Sequence, residues 1–98
     1  MPIEWDPVQG AGNALKHGVS FEEAAGLLEN DADYLEIYDE QHSNDEERFI
    51  AIGHISRGVI VVVFTERDDD VVRIISARVA TKSERGRYEE FDQAGRRR

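Results

Sequence analysis

Hydrophobic positions change their period twice along this chain, and the changes divide it into helical, extended and again helical stretches. Over the first thirty residues they recur at helical spacing. Asp6 followed by Pro7 has the form of an N-cap with proline at the first helical position, where the missing N–H costs nothing. The helix should run to about Lys16, with Val8, Ala11 and Leu15 on one side and Gly18 placed to end it in a left-handed conformation. Gly10 and Gly12 each weaken it by about 1 kcal/mol relative to alanine, so packing must hold it. Ser20-Phe21-Glu22-Glu23 is a capping box, with Val19 and Ala24 where a hydrophobic staple would sit. It opens a second helix that buries Ala24, Ala25, Leu27 and Leu28 and ends near Asn30.

From Asp31 to Glu47 the pattern is weak and acidic, although Tyr34, Leu35, Ile37 and Tyr38 could form a short strand. Period-two alternation then predicts three strands: Arg48 to Ile55, Val59 to Thr65 or Glu66, and Val71 to Arg78. The links Ser56-Arg57-Gly58 and Arg67-Asp68-Asp69-Asp70 are short enough to require antiparallel neighbours. VIVVVF is apolar on both faces and belongs at the sheet centre. In a regular third strand, Arg73 and Arg78 fall on opposite faces, so a bulge or the strand end must act if both are to serve one site. Thr81-Lys82-Ser83-Glu84 is a second capping box and opens a helix from about Lys82 to Gln93, anchored by Tyr88 and Phe91. Ile3 and Trp5 around Glu4 suit a short edge strand or an extended anchor.

The resulting order, α-α-β-β-β-α, is an α/β chain of the α+β kind: a small antiparallel sheet flanked by an N-terminal helical pair and a C-terminal helix. At 98 residues it makes one domain, expected over residues 1–94, with 95–98 a frayed basic tail. Cysteine is absent, which excludes disulfides, thiolate metal sites and a cysteine nucleophile and suits the cytoplasm. No leader is expected, and the longest apolar run is far too short to span a bilayer. Net charge is −9, unevenly placed: residues 1–47 hold 13 acids and one base, whereas residues 48–98 hold 8 acids and 11 bases. Such asymmetry fits a basic binding face backed by an acidic one, or two halves that neutralise each other.

Candidate chemistry narrows quickly. His17, His42 and His54 have no metal-ligand spacing, and a site from His42 with Asp45, Glu46 and Glu47 competes poorly with a solvated acidic loop, so no metal and no cofactor is expected. Neither a nucleophile elbow nor a phosphate-binding glycine loop occurs. What remains is a set of cations beside the sheet: Arg48, Arg73, Arg78, Lys82 and Arg85, joined by Lys16 and His17 from the helical pair. Guanidinium forks that bind two phosphate oxygens, with a proton acceptor, suit cleavage of RNA by its own 2′-OH, which needs neither metal nor thiol. For Arg57, Arg67 and the tail, salt bridges to nearby acids are the better expectation. His17, beside Gly18, can act as a base or simply cap helix carbonyls.

WDP near the start, N-x-x-KHGVSFEEA (Asn13 to Ala24), HSNDEERF (His42 to Phe49), Ile52-Gly53, VVVFTER (Val61 to Arg67) and RIISARVATKSERGRYEE (Arg73 to Glu90) together resemble the BrnT-type toxins of type II toxin–antitoxin systems. The resemblance implies a RelE-like fold and a ribonuclease that arrests translation. It also implies a hetero-oligomer with a BrnA-like ribbon-helix-helix antitoxin, contact with DNA only through that antitoxin, and no membrane partner. By motif position, Lys16, His17, Glu47, Arg48, Arg73 and Arg78 carry over as candidate site residues. Arg73, Arg78, Arg48, His17 and Glu47 would be catalytic, and Lys16, Lys82 and Arg85 would bind substrate. Gln9 and His54 stand where that family usually has basic residues, and Gly86 interrupts an arginine-rich helix. A second class of function is therefore a binding module that partners an antitoxin without cutting RNA.

Overall fold

A computed structural model of the chain describes residues 2–29, 34–42, 46–66 and 70–96. The helical pair is α1 (Pro7–His17) and α2 (Phe21–Leu28); the strands are β1 (Ile3–Glu4), β2 (Tyr34–Tyr38), β3 (Arg48–Ile55), β4 (Gly58–Glu66) and β5 (Val72–Val79); α3 (Lys82–Arg96) follows. A 3₁₀ turn, Glu40–His42, lies between β2 and β3. Both capping boxes form. The Glu23 N–H donates to the Ser20 hydroxyl at 3.0 Å, and that of Glu84 to the Thr81 hydroxyl at 3.2 Å. Asp6 caps α1 through the Val8 N–H at 2.8 Å, and Gly18 closes it at φ 71°, a conformation that a Cβ would strain.

The sheet order is β1-β5-β4-β3-β2, which puts the apolar strand β4 in the middle. β2 to β5 pair antiparallel, as the short links require for β3, β4 and β5, but β1 joins β5 in parallel, making the sheet mixed rather than purely antiparallel. The cause is connectivity: the helical pair and three further strands separate β1 from its partner, so no hairpin fixes their direction. One face carries Ala51, Ile60, Val62, Phe64, Val72, Ile74 and Ala77 and is covered by Phe21, Ala24, Leu27 and Leu28 of α2. The opposite face carries Ile52, Val59 and Val61 under Tyr88 of α3. Tyr88 is the anchor expected of that helix; Phe91 lies beside it, ring centroids 6.3 Å apart, but stays 37% exposed. α3 continues to Arg96, past the Gln93 at which the sequence pattern ends it.

In α1 the apolar side faces outward. Val8 is 80% and Leu15 90% exposed, and the buried residue is Asn13. β1 reaches only as far as Val72 and Arg73, so the outer edge of β5 beyond them has no strand partner. The Asn13 amide replaces one: it donates to Ala77 O at 2.8 Å, accepts from the Ala77 N–H at 3.1 Å, and donates to Val19 O at 2.8 Å. Exposed peptide groups at a sheet edge attract a polar side chain more strongly than a methyl, which turns the helix accordingly. Among the described residues no helix is long and apolar enough to cross a membrane.

Candidate nucleic-acid interface

The placement of the two strand arginines depends on one extra residue. Val63 faces Ser76 and Phe64 faces Ile74, so Ile75 is an insertion in β5, a β-bulge. Without it, residues 73 and 78 alternate to opposite faces. With it, Val72, Ile74 and Ala77 all enter the core under α2, while Arg73 and Arg78 both point to the face that carries α3. Cross-strand partners share a face, so the rows can be read directly. One row runs Arg48, Thr65, Arg73, Glu4 across β3, β4, β5 and β1. Another runs Leu35, Ile52, Val61, Arg78 across β2 to β5. Between them lie Ile37, Ile50, Val63 and Ser76, all half-buried, on the face that α3 covers in part through Tyr88.

This surface is an apolar strip with guanidinium groups at both ends, about 16 Å apart along β5 at the regular rise of a strand and somewhat less with the bulge. Each arginine already holds a carboxylate. Arg73 donates to Glu4 at 3.0 Å through one terminal nitrogen. Arg78 grips Glu84 with both terminal nitrogens, 2.7 Å each. That fork, helped by the Thr81 N–H at 2.9 Å, holds the Glu84 carboxyl down at about 2, and Glu84 in turn raises the Arg78 guanidinium above its ordinary value. Glu84 thus joins three jobs: capping α3, neutralising Arg78 and tying the end of β5 to the helix.

The other candidates fall into two groups. Glu47, exposed, precedes Arg48 at the Arg73 end of the face. Lys16, exposed, and His17, half-buried, close α1 one turn beyond Asn13, whose amide grips Ala77, the neighbour of Arg78. Lys82 is exposed on the first turn of α3, and Arg85 turns away along the helix towards Glu89, 4.0 Å distant. Arg85 lines an open cleft of about 610 Å³ with His54, Val59, Tyr88, Glu89 and Asp92, on the hairpin side of α3. Arg57 makes the salt bridge its sequence context predicts, gripping Glu23 at 2.8 and 2.9 Å and Gly18 O at 2.8 Å, and it lowers the Glu23 carboxyl below its usual value. Arg67, Asp45 and the last two arginines lie outside the described residues, as does the side chain of His42, and with them the metal site considered there. Among the described residues no group of three or more metal-ligating side chains is assembled.

Two residues central to this face escape a pattern-based reading. Asn13 opens the N-x-x-KHGVSFEEA block, but its structural role shows in sequence only as a polar residue in a helix interior, where asparagine is unfavourable unless its amide has a partner. Thr65 is 1% exposed on β4, and its hydroxyl has no hydrogen bond among the described residues. In sequence it stands within the VVVFTER block as a hydroxyl closing a run of apolar residues.

Compared with models of known protein families, residues 5–84 match the one described as "Ribonuclease toxin, BrnT, of type II toxin-antitoxin system". The chain belongs to the BrnT family. The matched segment holds every candidate site residue except Arg85. Among solved structures, the chain is similar to the ribonuclease toxin BrnT of Brucella abortus, with 26% identity and a TM-score of 0.65 over 84% of this chain and 99% of that one. No curated protein sequence matches. Membership of a type II toxin–antitoxin family brings with it an antitoxin as partner.

Proposed function

We propose that this BrnT-family chain is a metal-independent endoribonuclease whose substrate lies across the α3 face of the sheet, and that it arrests translation by cutting RNA in the cytoplasm. The observation that carries the reading is the bulge at Ile75, which turns Arg78 to the face of Arg73 and Arg48. Arg73 and Arg78 hold backbone phosphates at the two ends of the bulged segment, one of them the scissile phosphodiester, exchanging their glutamates for phosphate oxygens, and Arg48 supports them from β3. The half-buried strip of Ile37, Ile50 and Val63 gives the bases an apolar floor. Attack by the 2′-OH needs a base within hydrogen-bond reach. His17 serves if the reacting phosphate sits nearest Arg78; Glu47 serves if it sits nearest Arg73. Lys16, Lys82 and Arg85 contribute long-range attraction for the flanking backbone. The neutralising partner is a BrnA-like ribbon-helix-helix antitoxin in a hetero-oligomer, which reaches DNA through the antitoxin alone.

Purified protein incubated with RNA, with and without EDTA, tests the reading. Cleavage that survives EDTA is expected; cleavage that EDTA abolishes would contradict metal independence. One observation favours a second reading. Arg73 and Arg78 already carry glutamates in a chain of net charge −9, which suits a module kept for antitoxin binding rather than catalysis. Tight antitoxin binding with no cleavage at any protein concentration would select it.

A further inference from the structure

The row Arg48, Thr65, Arg73 contains a buried polar atom without a hydrogen-bond partner among the described residues. Thr65 is 1% exposed, and its Oγ1 neither donates nor accepts a hydrogen bond among the described residues. Burying a hydroxyl without a partner costs free energy, and valine has the same shape and the same liking for a strand without that cost. Buried polar groups ordinarily have a partner, and none of the described residues supplies one to this threonine. Its immediate cross-strand neighbours indicate the chemistry: Arg48 on β3 and Arg73 on β5, each about one strand spacing away on the same face. Two guanidinium groups flanking a hydroxyl donor are complementary to an anion with several acceptor oxygens in tetrahedral arrangement, which is what a phosphodiester presents.

We propose that Thr65 is a substrate-binding residue, its hydroxyl donating to a non-bridging phosphate oxygen of RNA seated between Arg48 and Arg73; the inference rests on the ribonuclease reading above. Thr65 thereby separates two roles along β5. The Arg73 end pairs this hydroxyl with Arg48 and with an arginine held by Glu4, whereas the Arg78 end is an arginine held by Glu84.

Thr65→Val removes only the hydroxyl, and Thr65→Ser keeps it. Two probes are used on the wild type and both variants: a 2′-O-methyl oligoribonucleotide that cannot be cleaved, and inorganic phosphate read as a shift in Tm against sodium chloride of equal ionic strength. Thr65→Val is expected to melt at or above the wild type in chloride, to bind the oligonucleotide about tenfold or more weakly, and to lose phosphate-specific stabilisation. Thr65→Ser should retain most of both. A general salting effect of phosphate would act on all three proteins alike. Wild-type affinity and wild-type phosphate stabilisation in Thr65→Val would overturn the proposal, even if the wild type cleaves RNA. Conversely, absence of cleavage by the wild type, with Thr65→Val still losing oligonucleotide affinity, would leave the seat standing and overturn the ribonuclease reading.

Discussion

Glutamine at position 84 isolates the charge of the Arg78–Glu84 pair, because a glutamine oxygen can still accept from the Thr81 N–H and keep the cap of α3. Lowering a carboxyl from 4.5 to about 2 corresponds to at most about 3 kcal/mol. The Arg78 side chain is 41% exposed, so solvent screening leaves about 1–2 kcal/mol as the pair's contribution to stability. For a domain of this size, that lowers Tm by about 5–10 °C at pH 7. The sign follows from the direction of the shift. A carboxyl held below its ordinary value stabilises the fold in full above about pH 4.5 and loses that contribution as pH falls towards 2. Thermal melts of wild type and Glu84→Gln, followed by circular dichroism from pH 7 to pH 3, should therefore differ most above pH 5 and by less than half as much at pH 3. A difference that stays constant across that range would refute the assignment. The same variant releases Arg78, so its affinity for RNA should tighten by about threefold or more at low salt.

Other substitutions probe the frame that presents the arginines. Asn13→Ala leaves the Ala77 and Val19 peptide groups without their partner and should cost about 2–4 kcal/mol in urea unfolding; a loss under about 0.5 kcal/mol would show that the edge of β5 does not depend on this amide. Gly18→Ala forces a side chain into φ 71° and should cost about 1 kcal/mol, measured in the same way. Arg57→Ala, by contrast, should leave the urea midpoint close to that of the wild type, since its side chain is 54% exposed in the bridge to Glu23. RNA affinity measured between 50 and 200 mM salt should fall steeply for the wild type and with a shallower slope for Arg73→Ala, by about one counterion per phosphate contact removed; identical slopes would place Arg73 away from the backbone.

The elements were legible where local chemistry decides them. Both capping boxes, the Asp6-Pro7 start, the αL stop at Gly18 and the central position of VIVVVF all follow from a few neighbouring residues, and the structure forms each of them. Long-range geometry was less accessible. No residue type announces the bulge at Ile75, because β-branched residues fit a regular strand equally well, yet this one insertion decides which face Arg78 joins. The outward turn of Val8 and Leu15 depends on a distant event, the early end of β1, which leaves an edge of β5 that the Asn13 amide satisfies at Ala77. The parallel pairing of β1 is likewise set by contacts across the chain. The candidate site was readable as a set of cations but not as two ends of one face, nor as arginines already held by Glu4 and Glu84.

Cleavage of RNA by wild type and by Arg73→Ala/Arg78→Ala, each purified without antitoxin and each shown to be folded by circular dichroism, tests the central claim most directly. The wild type should cut RNA in the presence of EDTA, and the double variant should lose at least about a hundredfold in rate. Equal cleavage by both proteins would contradict the placement of the site on the bulged face of β5.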